Sequence, residues 1–101
     1  MAIRVMVVAK IKEGQEKEFE AAYAEVTRKV KGTPGHVCDE LLRNTQEPGS
    51  YVLLSEWESK EKFLAWEDAP VHKETTTPMR PYWAGRVERV IYEVAHRLGK
   101  S

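Results

Sequence analysis

Residues 2–10 read AIRVMVVAK, and this segment decides the fold because it has the β-branched density of a strand and is apolar on both sides. Successive side chains of a strand point to opposite faces. One face carries only apolar residues, namely Ile3, Val5, Val7 and Ala9. The other face is polar at a single position, with Ala2, Met6 and Val8 around Arg4. Such a strand predicts a sheet that needs apolar cover on both faces.

A helix is predicted directly after this strand. Apolar residues recur at spacings of four, three and four, the period of one helical face, and they are Phe19, Tyr23, Val26 and Val30. Arg28 and Lys29 suit the negative end of the helix dipole, and Gly32 supplies the stop. The first strand is therefore followed by a helix with one apolar side.

The rest of the chain continues the alternation of strands and helices. Further strands are predicted at His36–Arg43, Tyr51–Trp57 and Arg86–His96. Ser59 is the candidate N-cap of a second helix, which Pro70 should end or kink. A helical turn is expected over residues 71–76 and a structured loop over residues 78–85. The order β-α-β-β-α-β predicts an α+β fold of ferredoxin-like layout, with one four-stranded antiparallel sheet and two helices in a single domain of residues 1–101.

Two helices can cover only one face of that sheet. Four strands at about 4.8 Å spacing make a sheet roughly 19 Å wide. Two helices of about 10 Å diameter, lying side by side, cover that width on one face only. The third and last strands are also apolar on both sides, since Leu53 opposes Val52 and Leu54, and Val87 and Ile91 oppose Val90, Tyr92 and Val94. We therefore expect a homodimer whose two sheets enclose a barrel-like core. The alternative is that the loop 78–85 alone covers the second face.

Composition excludes several classes of protein. The chain has 101 residues with 16 basic and 16 acidic side chains, and this neutral balance argues against nucleic acid as a partner. The single cysteine, Cys38, excludes an internal disulfide framework and a CxxC metal site. The longest apolar run, Val5–Ala9, is too short to span a membrane, and the N-terminus has no signal-peptide layout. We expect a cytoplasmic protein without a metal or a membrane partner.

A specific spacing marks the junction of the third strand and the second helix. The pattern W-x-S-x-x-x-F-x-x-W is formed by Trp57, Ser59, Phe63 and Trp66. Together with the order of the flanking elements, it resembles the signature of the antibiotic biosynthesis monooxygenase superfamily. The resemblance covers nearly the whole chain and implies a dimeric α+β barrel. That superfamily includes cofactor-independent monooxygenases of quinols or polycyclic phenols, heme-degrading enzymes and proteins with no assigned reaction.

The resemblance implies a monooxygenase that oxidises a small aromatic quinol or phenol with O2 and no cofactor. Triplet oxygen reacts poorly with closed-shell molecules, so the substrate itself must supply an electron as a phenolate or enolate. The protein then needs a dry apolar cavity, a group that takes a proton and donors that hold the anion. Two alternatives stay open: a non-catalytic ligand-binding or stress-response dimer of the same fold, and a heme-binding or heme-degrading monooxygenase.

Trp66 and His72 are the candidate catalytic residues. The resemblance places Trp66 at the pocket tryptophan, where its indole N–H would hold a substrate oxygen, and plain core packing is the alternative. His72 is the histidine nearest the predicted pocket helix, and the pKa of imidazole suits a base near neutral pH. The alternative for His72 is an exposed position on a helix surface.

The candidate substrate-binding residues are Arg4, Phe63, Tyr82, Trp83 and Arg86. Arg4 would stabilise an anionic intermediate in the cavity, unless it forms a salt bridge with Glu88 or Glu93 in the last strand. Arg86 is expected at the cavity mouth. Tyr82 and Trp83 would close the cavity as an aromatic lid, or else anchor their loop.

The heme-degrading branch carries residues that this chain lacks. Its axial histidine follows the matching tryptophan by nine or ten residues, where this chain has Thr75 and Thr76. Its first strand carries an asparagine near the position of Val7. Both departures argue against heme as the ligand.

The remaining chemistry-bearing residues are interpreted as structural. Tyr23 belongs to the core stripe of the first helix, and Trp57 to the core at its strand end. Cys38 is expected to be half-buried in the second strand. His36 and His96 are expected at the surface, because neither has a nearby partner for nucleophilic catalysis or metal binding.

Overall fold

Four strands and three α-helices organise the computed structural model, which describes residues 2–99. In chain order the elements are β1 Ile3–Lys10, α1 Glu16–Val30, β2 His36–Arg43, β3 Ser50–Trp57, α2 Lys60–Asp68, α3 Pro70–Thr76, a 3₁₀ helix Thr77–Tyr82 and β4 Glu88–Glu93. The predicted β-α-β-β-α-β order is confirmed, with α3 and the 3₁₀ helix between α2 and the last strand. Within residues 2–99, every helix falls short of the length and apolar character needed to cross a membrane.

The sheet has the strand order β2-β3-β1-β4, and each neighbouring pair is antiparallel. The central strand β1 pairs through Ile3 with Trp57 of β3 on one side and with Glu93 of β4 on the other. This order and direction make the ferredoxin-like α+β fold that the sequence predicts. Alternation along β1 turns Ile3 and Val5 toward the helices and turns Arg4 away from them.

The last strand is shorter than the predicted range 86–96. The pairing of β4 with β1 begins at Glu88, because residues 83–84 already pair with the end of β1. The carbonyl of Lys10 accepts a hydrogen bond from the amide of Ala84 at 2.7 Å, and Ile11 forms a bridge with Trp83. The predicted loop 78–85 therefore packs closely against the end of β1, and its first part is the 3₁₀ helix.

The helix ends follow the local sequence signals. Phe19, Val26 and Val30 of α1 are buried, and its last turn carries basic residues as expected. The hydroxyl of Ser59 accepts a hydrogen bond from the amide of Lys62 at 3.2 Å, which confirms the predicted N-cap of α2. These signals fix where the second helix leaves the sheet, and so they fix where its aromatic residues lie.

The core lies between the sheet and the helices, in two clusters. The larger contains Phe19, whose ring meets Tyr51 edge-on at a centroid distance of 5.2 Å, and includes Met79 of the 3₁₀ helix. The smaller is centred on Trp57, which meets Phe63 edge-on at 5.5 Å. Trp57 is only 1% exposed, which confirms its structural interpretation. Because Met79 packs into this core, the 3₁₀ helix lies on the helix side of the sheet.

The second face of the sheet, here called the outer face, carries apolar residues that nothing in residues 2–99 covers. Three of them are strongly exposed: Val8 at 44%, Leu42 at 43% and Tyr92 at 50%. Register places further apolar residues on the same face, namely Met6, Val52, Leu54 and Val90. The alternative that residues 78–85 cover this face is wrong, since that segment packs on the opposite side.

Gly35, at the entry to β2, has a left-handed backbone and a close neighbour. Its φ is +87°, and a Cβ built there would lie 2.6 Å from Cβ of Lys62. Gly35→Ala is therefore expected to lower the free energy of unfolding by about 2–4 kcal/mol, from backbone strain plus overpacking. Urea denaturation of the purified variant measures this loss.

Gly14→Ala is the matched control for this prediction. Gly14 has a similar φ of +82°, but a Cβ there would meet nothing within 4 Å. Only the backbone penalty of about 1–2 kcal/mol should remain. Equal losses in the two variants would show that the approach of Lys62 to Gly35 does not matter for stability.

Candidate functional site

A cavity of about 250 Å³ lies between the helix-covered face of the sheet and the helices. One wall is a stripe of α1 and another is the sheet face, formed by Tyr23, Val26, Thr27, Val30, Val5, Val7, Leu53, Ser55 and Trp57. The segment from α2 to the 3₁₀ helix and the chain just beyond it completes the enclosure with Phe63, Trp66, His72, Met79 and Trp83. Most of these side chains are aromatic or aliphatic, so the space suits a flat apolar molecule.

The structure brings the two predicted catalytic residues together on this cavity. The rings of Trp66 and His72 meet edge-on, with centroids 5.1 Å apart. Trp66 comes from the last turns of α2, and His72 from the first turn of α3. The break between those helices at Ala69, which has an extended backbone before Pro70, turns the chain so that the two rings meet.

His72 is half-buried, and burial is the main reason why its pKa lies below the ordinary value for histidine. The negative charge of Glu67 opposes this shift, and the positive charge of Arg80 adds to it. A lowered pKa favours the neutral imidazole at pH 7, and the unprotonated ring nitrogen of that form can accept a proton. This favours the role of a base over that of an exposed surface histidine.

Trp83 lies on the cavity wall and its position is held by the main chain on both sides. The carbonyl of Tyr82 accepts a hydrogen bond from the amide of Lys12 at 2.9 Å, and the amide of Ala84 donates to Lys10 at 2.7 Å. The indole Nε1 of Trp83 is buried and has no hydrogen-bond partner among residues 2–99. In contrast, Nε1 of Trp57 donates to Oγ of Ser55 at 3.0 Å.

Three predicted substrate-binding residues do not lie on this cavity. Arg4 projects from the outer face, because alternation along β1 separates it from Ile3 and Val5, and it pairs with Glu56 at 3.2 Å. Its expected contact with an anion in the cavity is thus corrected, and so is the predicted salt bridge to the last strand. Tyr82 packs against the larger core cluster, and Arg86 is exposed. Phe63 and Trp83 do line the cavity, as predicted.

A group of polar residues at the β2 side of the cavity was missed in the sequence. Tyr23 and Asp39 both line the cavity, and burial raises the pKa of each, while the negative charge of Asp39 further raises that of Tyr23. His36 lies 2.9 Å from the Asp39 carboxylate through Nε2 and opposes the rise in the pKa of Asp39. The side chain of His36 is 7% exposed, so its interpretation as a surface residue is wrong.

A β-bulge explains why this pair was not predicted. In a regular strand, residues 36 and 39 would point to opposite faces. The register of β2 shifts between His36 and Cys38, and the extra residue brings His36 and Asp39 to the same face. The shift also leaves Cys38 exposed rather than half-buried. Sequence periodicity gives no signal for such an irregularity.

An ion pair that was also missed lies at the β4 edge of the cavity. Arg89 of β4 makes two hydrogen bonds to the carboxylate of Glu67, at 2.9 and 2.6 Å. Its guanidinium also lies 5.7 Å from the ring centroid of Phe63. Arg89 pairs with Val7 of β1, so its side chain points toward the helices. The ion pair with Glu67 therefore joins α2 to the sheet edge.

The positions that would carry a heme-ligating histidine hold threonines, and Thr76 is hydrogen-bonded within its own segment. Thr75 is buried, and the hydroxyl of Thr76 donates to the carbonyl of His72 at 2.9 Å and accepts from Arg80 at 3.0 Å. Within residues 2–99, no group of three or more His, Cys, Asp or Glu side chains could hold a metal ion. The cavity offers a space lined mainly by aromatic and aliphatic side chains, with His72 on its wall.

Comparison with known proteins gives a consistent family match. The model of the antibiotic biosynthesis monooxygenase family matches residues 2–77. Protein SchA of Streptomyces halstedii is 35% identical over 83 residues, which are 82% of this chain and 22% of that protein. The chain therefore spans less than a quarter of the length of this curated relative.

Two solved structures show the same fold. One is SnoaB, a cofactor-independent oxygenase from Streptomyces nogalater, with a TM-score of 0.83, 21% identity and 98% coverage of both chains. The other is the heme-degrader MhuD from Mycobacterium tuberculosis, with a TM-score of 0.79, 24% identity, and coverage of 98% of this chain and 100% of that chain. At these identities, the similarity establishes the fold and leaves the reaction to the residues of the site.

Proposed function

The chain belongs to the antibiotic biosynthesis monooxygenase family, and from this premise we propose that it oxidises a small aromatic phenol or quinol with O2 and without a cofactor. The observation that carries the proposal is the contact of His72 with Trp66 on a mostly apolar cavity. SnoaB, which shares this fold, is a cofactor-independent oxygenase, so the fold can accommodate the proposed reaction class. The substrate class is a flat, mostly apolar molecule with an ionisable hydroxyl group.

The proposed reaction begins with loss of the phenolic proton. The phenolate transfers one electron to O2, and the resulting phenoxyl radical and superoxide combine at a free ring carbon. Proton return gives a hydroperoxide, which loses water and leaves a quinone carbonyl. The balance is phenol plus O2 to quinone plus water, with one oxygen atom retained in the product and the other leaving as water.

His72 is the group proposed to accept the phenolic proton and later return it. Because burial lowers the pKa of His72, the imidazole is in its accepting form at neutral pH. Its edge-on contact with Trp66 restrains the ring, which lowers the entropic cost of aligning it with a substrate. The apolar residues that line the cavity offer few hydrogen bonds to water, which would otherwise weaken the hydrogen bonds that hold the anion.

Arg80 is the cation best placed to favour the phenolate. It lines the cavity, and its charge lowers the pKa of His72, so its field reaches the site of proton transfer. Its Nη2 donates to Thr76 at 3.0 Å, which ties the guanidinium to the end of α3. A positive charge on the cavity wall stabilises the phenolate over the neutral phenol.

The proposal includes a homodimer that covers the outer face. Val8, Leu42 and Tyr92 are exposed apolar residues on three strands of a sheet whose opposite side is already packed. Charged residues also lie on this face, where Glu56 is 3.2 Å from Arg4 and 3.9 Å from Arg97. An apolar patch with internally paired charges fits a second copy of the same chain, because a two-fold axis matches apolar to apolar.

Oxygen uptake tests the proposed reaction. Purified protein is incubated with a panel of naphthols, anthrones and benzene or naphthalene quinols, and O2 is followed with an electrode against the uncatalysed rate. We expect at least one compound to be oxidised with O2 and product in equal amounts, and Trp66→Phe to lower kcat/KM by about tenfold because positioning is lost. Uptake that never exceeds the buffer rate contradicts the proposal and leaves a non-catalytic binding protein. A specific Soret shift with stoichiometric hemin would instead favour heme.

A further inference from the structure

Asp39 is a carboxylate on the cavity that the proposed reaction does not use. It lies in β2, an edge strand, and pairs with Ser55, which also lines the cavity. Leu41, two residues further along β2, packs against the larger core cluster. Because side chains alternate along a strand, Asp39 and Leu41 both point toward the helix-covered face. The carboxylate therefore belongs to the β2 side of the cavity.

His72 lies toward the other edge of the sheet. The negative charge of Glu67 acts on the pKa of His72, so these two side chains are close together. Glu67 is bonded in turn to Arg89 of β4, which is the opposite edge strand. The cavity thus has one hydrogen-bond acceptor toward each edge of the sheet, His72 and Asp39.

The protein holds one oxygen of the Asp39 carboxylate and leaves capacity on the other. Oδ2 of Asp39 lies 2.9 Å from Nε2 of His36, and this is its only side-chain hydrogen bond among residues 2–99. The ring of His36 meets Trp57 edge-on at 5.1 Å, and Trp57 is 1% exposed. A carboxylate can accept about four hydrogen bonds, and the Asp39 side chain is still 16% exposed. It is therefore a fixed acceptor with room for a further donor.

Tyr23 of α1 provides a donor next to this acceptor. It lines the cavity, and burial, followed by the negative charge of Asp39, raises the pKa of its hydroxyl group. That hydroxyl group therefore keeps its proton at neutral pH. A ligand hydroxyl group can donate to a carboxylate and accept from a phenol at the same time. An ether or a hydrocarbon cannot do both.

We propose that Asp39, held by His36 and accompanied by Tyr23, binds a second hydroxyl group of the aromatic ligand, at the end opposite to the hydroxyl group that meets His72. Asp39 is then a specificity-determining residue, and the cavity prefers aromatic diols with hydroxyl groups at opposite ends over the corresponding monophenols. The inference rests on the proposed function for the place of the first hydroxyl group, but it requires no turnover.

Three matched ligands test the inference: 2-naphthol, 2,6-dihydroxynaphthalene and 6-methoxy-2-naphthol. They share the bicyclic ring and the first hydroxyl group, and they differ only at the far end. Titration calorimetry under argon measures their binding without oxidation. We expect the wild-type protein to bind the diol at least about tenfold more tightly than 2-naphthol, as for one hydrogen bond to a charged acceptor. The methoxy compound, which cannot donate, should bind no more tightly than 2-naphthol.

Asp39→Leu removes the carboxylate and keeps a side chain of similar size. It should bring the Kd of the diol to within about twofold of that of 2-naphthol, and change the Kd of 2-naphthol less than about threefold. Asp68→Leu is the matched control, because Asp68 is an exposed aspartate in the last turn of α2. This control should keep the wild-type preference for the diol.

Equal affinity of the wild-type protein for the three ligands overturns the inference. A preference for the diol that survives in Asp39→Leu also overturns it, and so does the absence of naphthol binding up to the solubility limit. The wild-type series needs no variant, so it decides the question even if Asp39→Leu folds poorly.

The result is separate from that of the proposed reaction. If Asp39 confers the preference for the diol while no phenol in the panel consumes O2, the assignment of Asp39 stands and the oxygenase proposal fails. If phenols are oxidised while the three naphthols bind equally, the oxygenase proposal stands and the assignment of Asp39 fails.

Discussion

His72→Ala is expected to lower kcat/KM for phenol oxidation by about 100-fold or more, the usual contribution of a general base. The variant removes the group that accepts the phenolic proton, and the remaining cavity offers no neutral imidazole in its place. The side chain is half-buried and meets Trp66 edge-on, so the fold should survive its truncation. Initial rates of O2 uptake with the best phenol measure the effect, alongside a circular dichroism spectrum of the variant.

The pH dependence of the wild-type rate is a second test of His72 as the base. A base must be deprotonated to act, so kcat/KM should rise with pH through the pKa of His72 and then level off. Because burial lowers that pKa, the midpoint of the rise should lie below the ordinary histidine value of 6.5. The rise should be absent from the residual activity of His72→Ala.

His96→Ala is the matched control, because His96 is an exposed histidine that follows β4 and lies away from the cavity. It should keep the wild-type rate and pH profile. Full activity in His72→Ala, or a wild-type midpoint above 6.5, would contradict the assignment of the base.

Val52→Asp is expected to dissociate the proposed dimer. Val52 lies on the outer face between Val8 of β1 and Leu42 of β2, in the middle of the apolar patch. A carboxylate there would be buried without a partner twice in each symmetric dimer, which should raise Kd at least about 1,000-fold, or about 4 kcal/mol. Sedimentation at micromolar concentration should show the wild type at twice the 11.6 kDa of one chain and the variant at that single mass.

Val71→Asp is the matched control for the dimer prediction. Val71 is also a valine and is 50% exposed, but it lies in α3, on the helix side of the sheet. The same substitution there should leave the dimer intact. A wild-type protein that is monomeric at micromolar concentration would remove the homodimer from the proposed function.

Local signals in the sequence were sufficient for the order of elements. The β-branched run of β1, the stripe from Phe19 to Val30 and the cap at Ser59 each act over a few residues, so a linear pattern shows them. The extent of β4 was not predictable in this way. Its start depends on the competing bond from Ala84 to Lys10, a contact between residues far apart in the chain.

The candidate site was predicted in part, for a similar reason. Trp66, Phe63 and His72 lie on one short stretch, in which the family resemblance placed Trp66 at the pocket and His72 was the nearest histidine. Asp39 and Arg89 come from opposite edge strands, and their approach to the cavity depends on a bulge in β2 and on the register of β4. Arg4 was misplaced because apolar residues on both sides of β1 hide which face the helices cover.

The central claim is that the ligand site is the cavity between the sheet and the helices, and a crystal structure of the protein grown with saturating 2-naphthol under argon tests it most directly. We predict the bicyclic ring inside the cavity, against Trp66 and His72 and enclosed by the stripe of α1. A cavity that stays empty under these conditions, or a probe found on the outer face among Val8, Val52 and Leu42, would contradict the account.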